Sequence, residues 1–213
     1  KITLTTFPIN YQAGSVVHLF DYQPKNIHSD ILYYVQQQEN ADNLFSLTSQ
    51  KIDLVNARNI IPGHSVQIAH AQKNPYSIRY IFPDPINEAG WQIYALQMII
   101  DEGFGGSEGI YHILSLKEQV RVTCQTFIEG KYYAGKINRK EAVNYLRGEA
   151  FISITEAENF IVESELNYFS ATQAFIGMME INSIYNEYKK DLGDKFQISQ
   201  FHQNFLGGGI IPL

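Results

Sequence analysis

The sequence lacks the features that mark several functional classes. It contains one cysteine, Cys124, so no internal disulfide can form, and the apolar setting VRVTCQTF indicates a buried, inert thiol rather than a nucleophile. It has no basic run of the kind that follows phosphates, and its net charge of -6 argues against nucleic acid as a partner. No apolar run approaches the ~20 residues that cross a bilayer, so we expect no transmembrane segment.

Several catalytic motifs are absent as well. The chain has no HExxH, CxxC or GxSxG pattern. The glycine-rich stretch GFGGSEG is not followed by Lys-Ser or Lys-Thr, which favours a flexible connector or lid over a phosphate loop. What remains is an ordinary globular composition, 45% hydrophobic and 18% charged over 213 residues, which is long enough to bury a substantial core.

The pattern along the chain predicts a mainly α (α+β) domain. In residues 1–43, the segments KITLTTF, GSVVHLFDY and DILYYVQ are rich in β-branched and aromatic residues, which predicts a small sheet of about three strands. Residues 44–213 show helical periodicity, and with no linker in between we expect one domain. The pairs Asn138 with Glu141 and Thr155 with Glu158 are interpreted as capping boxes, and Gly193 as a helix stop.

The stretch ARNIIPGHSVQIAHAQ carries the one cluster typical of a site. Proline and glycine at positions 62 and 63 interrupt a helical pattern and re-aim the residues that follow, which include His64, Ser65, Gln67 and His70. From the residues alone two alternatives stay open. His64 either packs at the bend, which is the commoner role, or points into a functional site.

Four stretches resemble the bacterial family known as domain of unknown function 885. IIPGHSVQIAHAQ is similar to its His-Glu-x-x-Pro-Gly-His-His-x-Gln motif, and AGWQIYALQ to its Glu-Gly-Trp-Ala-x-Tyr-x-Glu motif. GKINRKEAVNYL resembles a third motif, Gly-Trp-(Ser/Thr)-x-Glu-x-Ala-x-x-Tyr-Leu. The terminal LGDKFQISQFHQNFLGGGIIPL is similar to the family's closing motif, and the likeness extends from about residue 53 to 213.

The resemblance implies a zinc-dependent hydrolase of the gluzincin type with a helical metallopeptidase-like fold. In such enzymes two histidines and a glutamate hold the metal, and the glutamate after the first histidine activates water. The two histidines of this family stand six residues apart, which is ~600° on a straight helix, so the Pro-Gly break would be needed to bring them together. Family members are longer, which implies that this chain is the C-terminal portion and that an N-terminal half is absent.

Residue by residue, the family's functional groups do not carry over. The first histidine falls on Arg58, the catalytic glutamate on Asn59 and the glutamate before Gly-Trp on Ala89, while His64 keeps the second histidine. Other polar positions of the family fall on apolar or aromatic residues here: a later glutamate on Leu96, a tyrosine-lysine pair on Ala174 and Phe175, and a histidine near Tyr132. Arginine repels a metal ion and asparagine cannot take a proton from water near neutral pH, so ligands and base are lost together.

We therefore expect a pseudo-enzyme that needs no cofactor and is retained for binding or assembly. One alternative is an active metallohydrolase with a relocated metal site made of His64, His70 and Glu88, with His112 on another helix. Another is a structural C-terminal half of a longer envelope protein. In the pseudo-enzyme, Arg58 would take the place of the lost cation and pair with Glu88 or another carboxylate.

The expected binding cleft lies beside the Pro-Gly break and includes His64, Glu88, Trp91 and Tyr132, with Tyr33, Tyr34 and Tyr133 as further lining. A peptide or another protein chain is the predicted partner, added as a strand to SVVHLFDY or DILYYV, although paired interior strands are an equal alternative. Relatives are often exported lipoproteins, which implies the periplasm or cell envelope. The sequence begins at Lys1 with no leader, so we expect a mature protein or a fragment.

Overall fold

The structure, a computed structural model, describes residues 2–6, 31–35, 49–106 and 109–213. These fall into two units, residues 1–49 and residues 50–213. In the first unit, β1 (Ile2–Thr6) pairs with β2 (Ile31–Val35) in parallel, in a register that runs from Ile2 opposite Ile31 to Thr6 opposite Val35.

The predicted N-terminal sheet of about three strands is wrong. Within the described part of residues 1–43, the sheet has two strands, and the predicted strand GSVVHLFDY lies outside the described residues. Because β-branched and aromatic content marks a segment that suits a pleated surface, it does not say which segments pair. The expected mainly helical character of the rest of the chain agrees with the structure.

The described part of the second unit is built from helices joined by short turns. Their bounds are α1 (Ser49–Asn59), α2 (His64–Ala71), α3 (Ile78–Ile81), α4 (Pro85–Asp101), α5 (Gly109–Tyr133), α6 (Arg139–Glu149), α7 (Ile154–Leu166), α8 (Ser170–Leu192) and α9 (Ile198–Gly207), with a 3-10 turn at Gly193–Lys195. Among these described helices, none is both long and apolar enough to cross a membrane.

Local signals explain where several helices begin and end. The capping box of Asn138 with Glu141 at the start of α6 is confirmed, and Gly193 ends α8 as predicted. The second box is wrong by two residues: Ser153 caps α7, and its partner is Glu156, not the pair Thr155 and Glu158. Both registers fit the pattern of a hydroxyl followed three residues later by glutamate, so the pattern alone could not choose between them.

The central contact of the helical unit is the packing of α4 against α8. Two glycines make it close, since a Cβ added at Gly90 would lie 2.3 Å from the carbonyl carbon of Gly177, and one at Gly177 would lie 2.0 Å from the carbonyl oxygen of Ile86. Neither position can accept a larger residue without moving a helix. This contact fixes the helix that carries Glu88 and Trp91.

A buried carboxylate holds the beginning of α8. Glu129 of α5 is 1% exposed and accepts hydrogen bonds from the backbone N–H groups of Ala171 (3.0 Å) and Thr172 (2.9 Å) and from the Thr172 hydroxyl (2.7 Å). The first N–H groups of a helix have no partner within the helix, and a negative charge there is favourable. Glu129 therefore ties α5 to α8.

The closing motif packs on α4. Its helix α9 contributes Phe201, 2% exposed, to an aromatic cluster with Trp91 and Tyr94, and the ring of Phe205 stacks on Trp91 at 5.5 Å between centroids. Burial of such rings contributes most of the energy of a helical core of this kind. The end of the chain therefore helps to hold the helix that borders the Pro-Gly break.

Candidate functional site

The Pro-Gly step separates two helices. α1 ends at Asn59 and α2 begins at His64, and the peptide bond from Ile61 to Pro62 is cis. A Cβ added at Gly63 would lie 1.7 Å from the carbonyl oxygen of Arg58, so the chain can make this turn only with glycine. The predicted break is confirmed, and it is sharper than a bend within one helix.

Trp91 of α4 holds the break in place. Its indole Nε1 donates to the carbonyl oxygens of Pro62 and Gly63, at 3.2 Å each, and the residue is 1% exposed. On the other side, the Ser65 hydroxyl donates to the carbonyl oxygen of Asn59 at 2.9 Å. These three carbonyls therefore have hydrogen-bond partners, as buried backbone groups require.

His64 faces the first turn of α4. Its Nε2 lies 3.4 Å from Oε1 of Glu88, and the His64 side chain is the more deeply buried of the two. Burial raises the pKa of Glu88 because a charged carboxylate loses solvation there. Of the residues predicted to form the cleft, the structure brings together His64, Glu88 and Trp91 around the break.

The remaining predicted residues lie elsewhere. The Tyr132 hydroxyl donates to Glu165 of α7 at 2.6 Å, so Tyr132 belongs to the contact of α5 with α7. His112 is exposed on α5. The side chains of Tyr33 and Tyr34, and the segment SVVHLFDY, lie outside what the structure describes, and strand addition stays a prediction.

A pair of buried amides supports the site. Gln67 Nε2 donates to Asn87 Oδ1 at 3.1 Å and to the Asn87 carbonyl oxygen at 3.3 Å, and Asn87 Nδ2 donates to the carbonyl oxygen of Ile211 at 2.7 Å. The chain ending is thereby tied to α2 and α4. The sequence does not single out Asn87, because asparagine in the first turn of a helix is common and nothing local shows that it is buried.

Arg58 reaches a carboxylate on α5. Its Nη1 donates to Glu118 Oε1 at 2.9 Å. Arg121 also binds this carboxylate, with Nε at 2.7 Å from Oε2 and Nη2 close to Oε1. Although burial alone would raise the pKa of Glu118, the charge and hydrogen bonds of Arg121, helped by Arg58, lower it to about 2. The partner of Arg58 is thus Glu118, not Glu88.

Positions to which the resemblance assigns polar residues fall on an apolar contact here. Ala89 of α4 and Phe175 of α8 pack against a cluster that contains Ala174, Ile93 and Val122. Leu96 lies in a second cluster with Leu54 and Ala57 of α1 and Ile100 of α4. These two clusters occupy the space between α4 and its neighbours with hydrocarbon.

The described donors do not assemble a metal site. Among the residues that the structure describes, no group of three or more His, Cys, Asp or Glu side chains could hold a metal ion. His64 and Glu88 are brought together, but His70, two turns along α2, does not join them as a third ligand. Cys124 is buried as predicted, and burial raises the pKa of its thiol.

One groove in the helical unit is lined by other residues. It lies between α6 and α7, has a volume of about 410 Å³, and has none of the predicted site residues in its lining: Arg139, Lys140, Val143, Asn144, Arg147, Ile154 and Glu158. Asn144 and the four charged residues of this lining are exposed. The break around Trp91 and this groove are therefore separate features.

Comparison with solved structures supports the fold. The chain superposes on a "putative lipoprotein of unknown function" from Shewanella oneidensis with a TM-score of 0.82 and 23% identity, which covers 100% of this chain and 39% of that one. A "putative lipoprotein" from Colwellia psychrerythraea gives 0.83 and 19%, and covers 100% and 36%. The chain thus spans about two fifths of the length of these relatives.

Similarity in sequence identifies the family. No curated protein matches the chain significantly. Residues 13–213 match the family described as bacterial protein of unknown function (DUF885). The match covers nearly the whole chain, including the break at Pro62-Gly63 and the closing motif. The chain therefore belongs to the DUF885 family.

Proposed function

We propose that this chain is a non-catalytic member of its family, retained for binding or assembly. The observation that carries the proposal is the apolar cluster around Ala89, Ala174 and Phe175. The resemblance described above assigns polar groups to these three positions, among them a metal-binding glutamate. Here methyl groups and a phenyl ring pack there, and none of them offers a lone pair to a metal ion.

The charges at the break support the same conclusion. The position of the first metal ligand carries Arg58, whose guanidinium stays protonated and cannot bind a cation. The position of the base carries Asn59, which cannot accept a proton from water at neutral pH. The Arg58 charge is balanced by Glu118 on α5, so a carboxylate that a metal could have used is already taken.

The two potential metal ligands that remain lie next to each other. His64 and Glu88 lie 3.4 Å apart, and a tightly held zinc ion needs three or four protein ligands. A relocated site would need a third donor at that position, and His70 stands six residues beyond His64, at ~600° around an ideal helix. This geometry favours a pocket that binds no metal ion over a relocated metal site.

A structural role in a longer envelope protein is the second candidate. It is favoured by the share of the solved relatives that this chain spans, 39% and 36%, and by the description of those relatives as lipoproteins. Under this proposal the chain acts at the periplasm or cell envelope and contributes a folded helical unit to a larger assembly. A peptide or a second polypeptide is the expected partner.

Metal content and turnover test the proposal. Protein prepared with added zinc and then desalted is measured by inductively coupled plasma mass spectrometry, next to the variant His64→Ala and the double variant Arg58→His with Asn59→Glu. We expect substoichiometric zinc in the parent and in His64→Ala, more zinc in the double variant, and no chelator-sensitive peptidase activity in the parent. One zinc per chain that is lost in His64→Ala, with chelator-sensitive turnover, would overturn the proposal.

A further inference from the structure

One face of α5 is apolar and exposed. Ile113, Leu116, Val120 and Phe127 are 63%, 59%, 40% and 43% exposed. Their separations are three, four and seven residues, and Thr123 fills the position between the last two. We call these five positions the α5 stripe. A spacing of three and four residues is the repeat with which one helix packs along another in a coiled coil.

The α5 stripe carries no charge. From residue 113 to residue 130, every exposed position of α5 is uncharged: Ile113, Leu116, Val120, Thr123, Phe127 and Gly130. A helix that faces water normally carries charged residues on its outer face, and soluble proteins rarely leave a contiguous apolar patch uncovered. Such a face is typically covered by another element or chain.

Three charged residues of α5 are used on its inner and lateral faces. Glu118 and Arg121 bind each other and Arg58, and Glu129 holds the start of α8. The uncharged stripe is therefore not a consequence of a helix poor in charge. Charge is present on α5, and where it meets the stripe it lies at the edge, with Lys131 Nζ 4.3 Å from the centre of the Phe127 ring.

We propose that the α5 stripe is the docking surface for an amphipathic helix with a matching three-four apolar repeat. That helix is supplied by the part of the family fold that lies outside this sequence. The proposal is independent of whether the pocket at the break is catalytically silent. The solved relatives provide the argument for the occupant, since this chain aligns over its full length with only 39% and 36% of theirs. More than half of each relative is thus available to cover the face.

The width of the stripe fits one helix. Two positions per heptad form the narrow seam of a helix pair, whereas a helix that lies on a membrane presents a broad apolar face. The other faces of α5 pack against the helical unit, with Val122, Ile128 and Glu129 buried. A single helix laid along α5 would complete its burial.

Site-specific photo-crosslinking tests the occupant. Benzoylphenylalanine replaces Leu116 in the protein expressed at its own locus in its native bacterium, and crosslinked peptides are sequenced by mass spectrometry. The control places the same residue at Leu166, which is 75% exposed on α7. We expect Leu116 to crosslink to a segment that lies outside residues 1–213 and belongs to the remaining part of the family fold, and that segment to carry an apolar three-four repeat.

Every other outcome overturns the proposal. A crosslink between two peptides that contain position 116 would show a second copy, a crosslink to residues 1–48 would show cover from within this sequence, and a lipid adduct would show a membrane surface. No crosslink above that of the Leu166 control would show an open face. Light scattering provides an independent measurement: a dimer of the 213-residue chain that Leu116→Glu abolishes and Leu166→Glu leaves intact would also contradict the proposal.

Discussion

The two sides of the Pro62-Gly63 break place a basic side chain against a carboxylate, but on different helices. On the N-terminal side, Arg58 reaches Glu118 of α5 at 2.9 Å. On the C-terminal side, His64 reaches Glu88 of α4 at 3.4 Å. Groups that a metal would gather around one point are thus drawn towards two separate helices.

The two carboxylates also differ in their electrostatics. Glu118 lies between two guanidiniums, which lower its pKa to about 2 in spite of burial. Glu88 meets one imidazole, and burial raises its pKa. The difference shows that the Arg58 side is a structural ion cluster. On the His64 side, the raised pKa of the carboxylate makes its charged form less favourable.

The largest effect on stability is expected for Gly63→Ala, which disrupts the break between the two sides. The new methyl group would lie 1.7 Å from the carbonyl oxygen of Arg58, so the turn must open. We expect a loss of about 3 kcal/mol in the free energy of unfolding, measured by denaturant titration. Trp91 is the sole tryptophan and contacts the break, so its fluorescence reports the transition.

Gly130→Ala is the matched control for that substitution. Gly130 is exposed inside α5, and a Cβ there has nothing within 4 Å. Alanine should therefore stabilise the helix by about 0.5–1 kcal/mol. If Gly63→Ala changed stability as little as Gly130→Ala, the close approach of Gly63 to the Arg58 carbonyl oxygen would be contradicted.

The next effect is expected for Glu118→Gln, which leaves Arg58 and Arg121 without their carboxylate. Since the side chains are about a quarter exposed, we expect a loss of about 1–3 kcal/mol at neutral pH. The pKa of Glu118 in the folded state is about 2, below its unfolded value. Its contribution is therefore present above the unfolded pKa of about 4.3 and is lost as the pH falls towards 2.

The pH profile separates this carboxylate from the others. Parent protein should lose stability relative to Glu118→Gln as the pH falls from about 5 to about 2, followed by circular dichroism at each pH. Parallel stability curves for the two proteins over that range would contradict the assignment of Glu118 as the centre of the arginine cluster.

The smallest effect is expected for Glu88→Gln. Because burial raises the pKa of Glu88 in the folded state, this group favours folding below its unfolded pKa, and that advantage is lost as the pH rises through the folded pKa. Removal of the charge should therefore change stability by less than about 1 kcal/mol at neutral pH. A loss as large as that of Glu118→Gln would show that the His64 pair is also a structural ion pair.

The helices and the break could be predicted from sequence, because both follow from local chemistry. Helical periodicity, the Asn138 cap and the stop at Gly193 depend on residues a few positions apart. Pro62 and Gly63 interrupt a helix whatever surrounds them. The sequence pattern places the start of α7 two residues late, since two overlapping cap patterns compete there.

The pairings in three dimensions could not be predicted. Arg58 and Glu118 are 60 positions apart, and Glu88 stands between them in sequence as an equally plausible partner. Likewise, Ala89 and Phe175 are unremarkable in their own helices, and only the close packing of Gly90 against Gly177 brings them into one cluster. Pairing of the N-terminal strands is similarly non-local.

Anomalous diffraction at the zinc edge from crystals grown with zinc shows whether the pocket at the break binds a metal ion. We expect no anomalous peak at the bonding distance of about 2.0–2.1 Å from Nε2 of His64, with that nitrogen still facing Glu88. A peak at that distance, also bound by Glu88 and a third side chain, would contradict it.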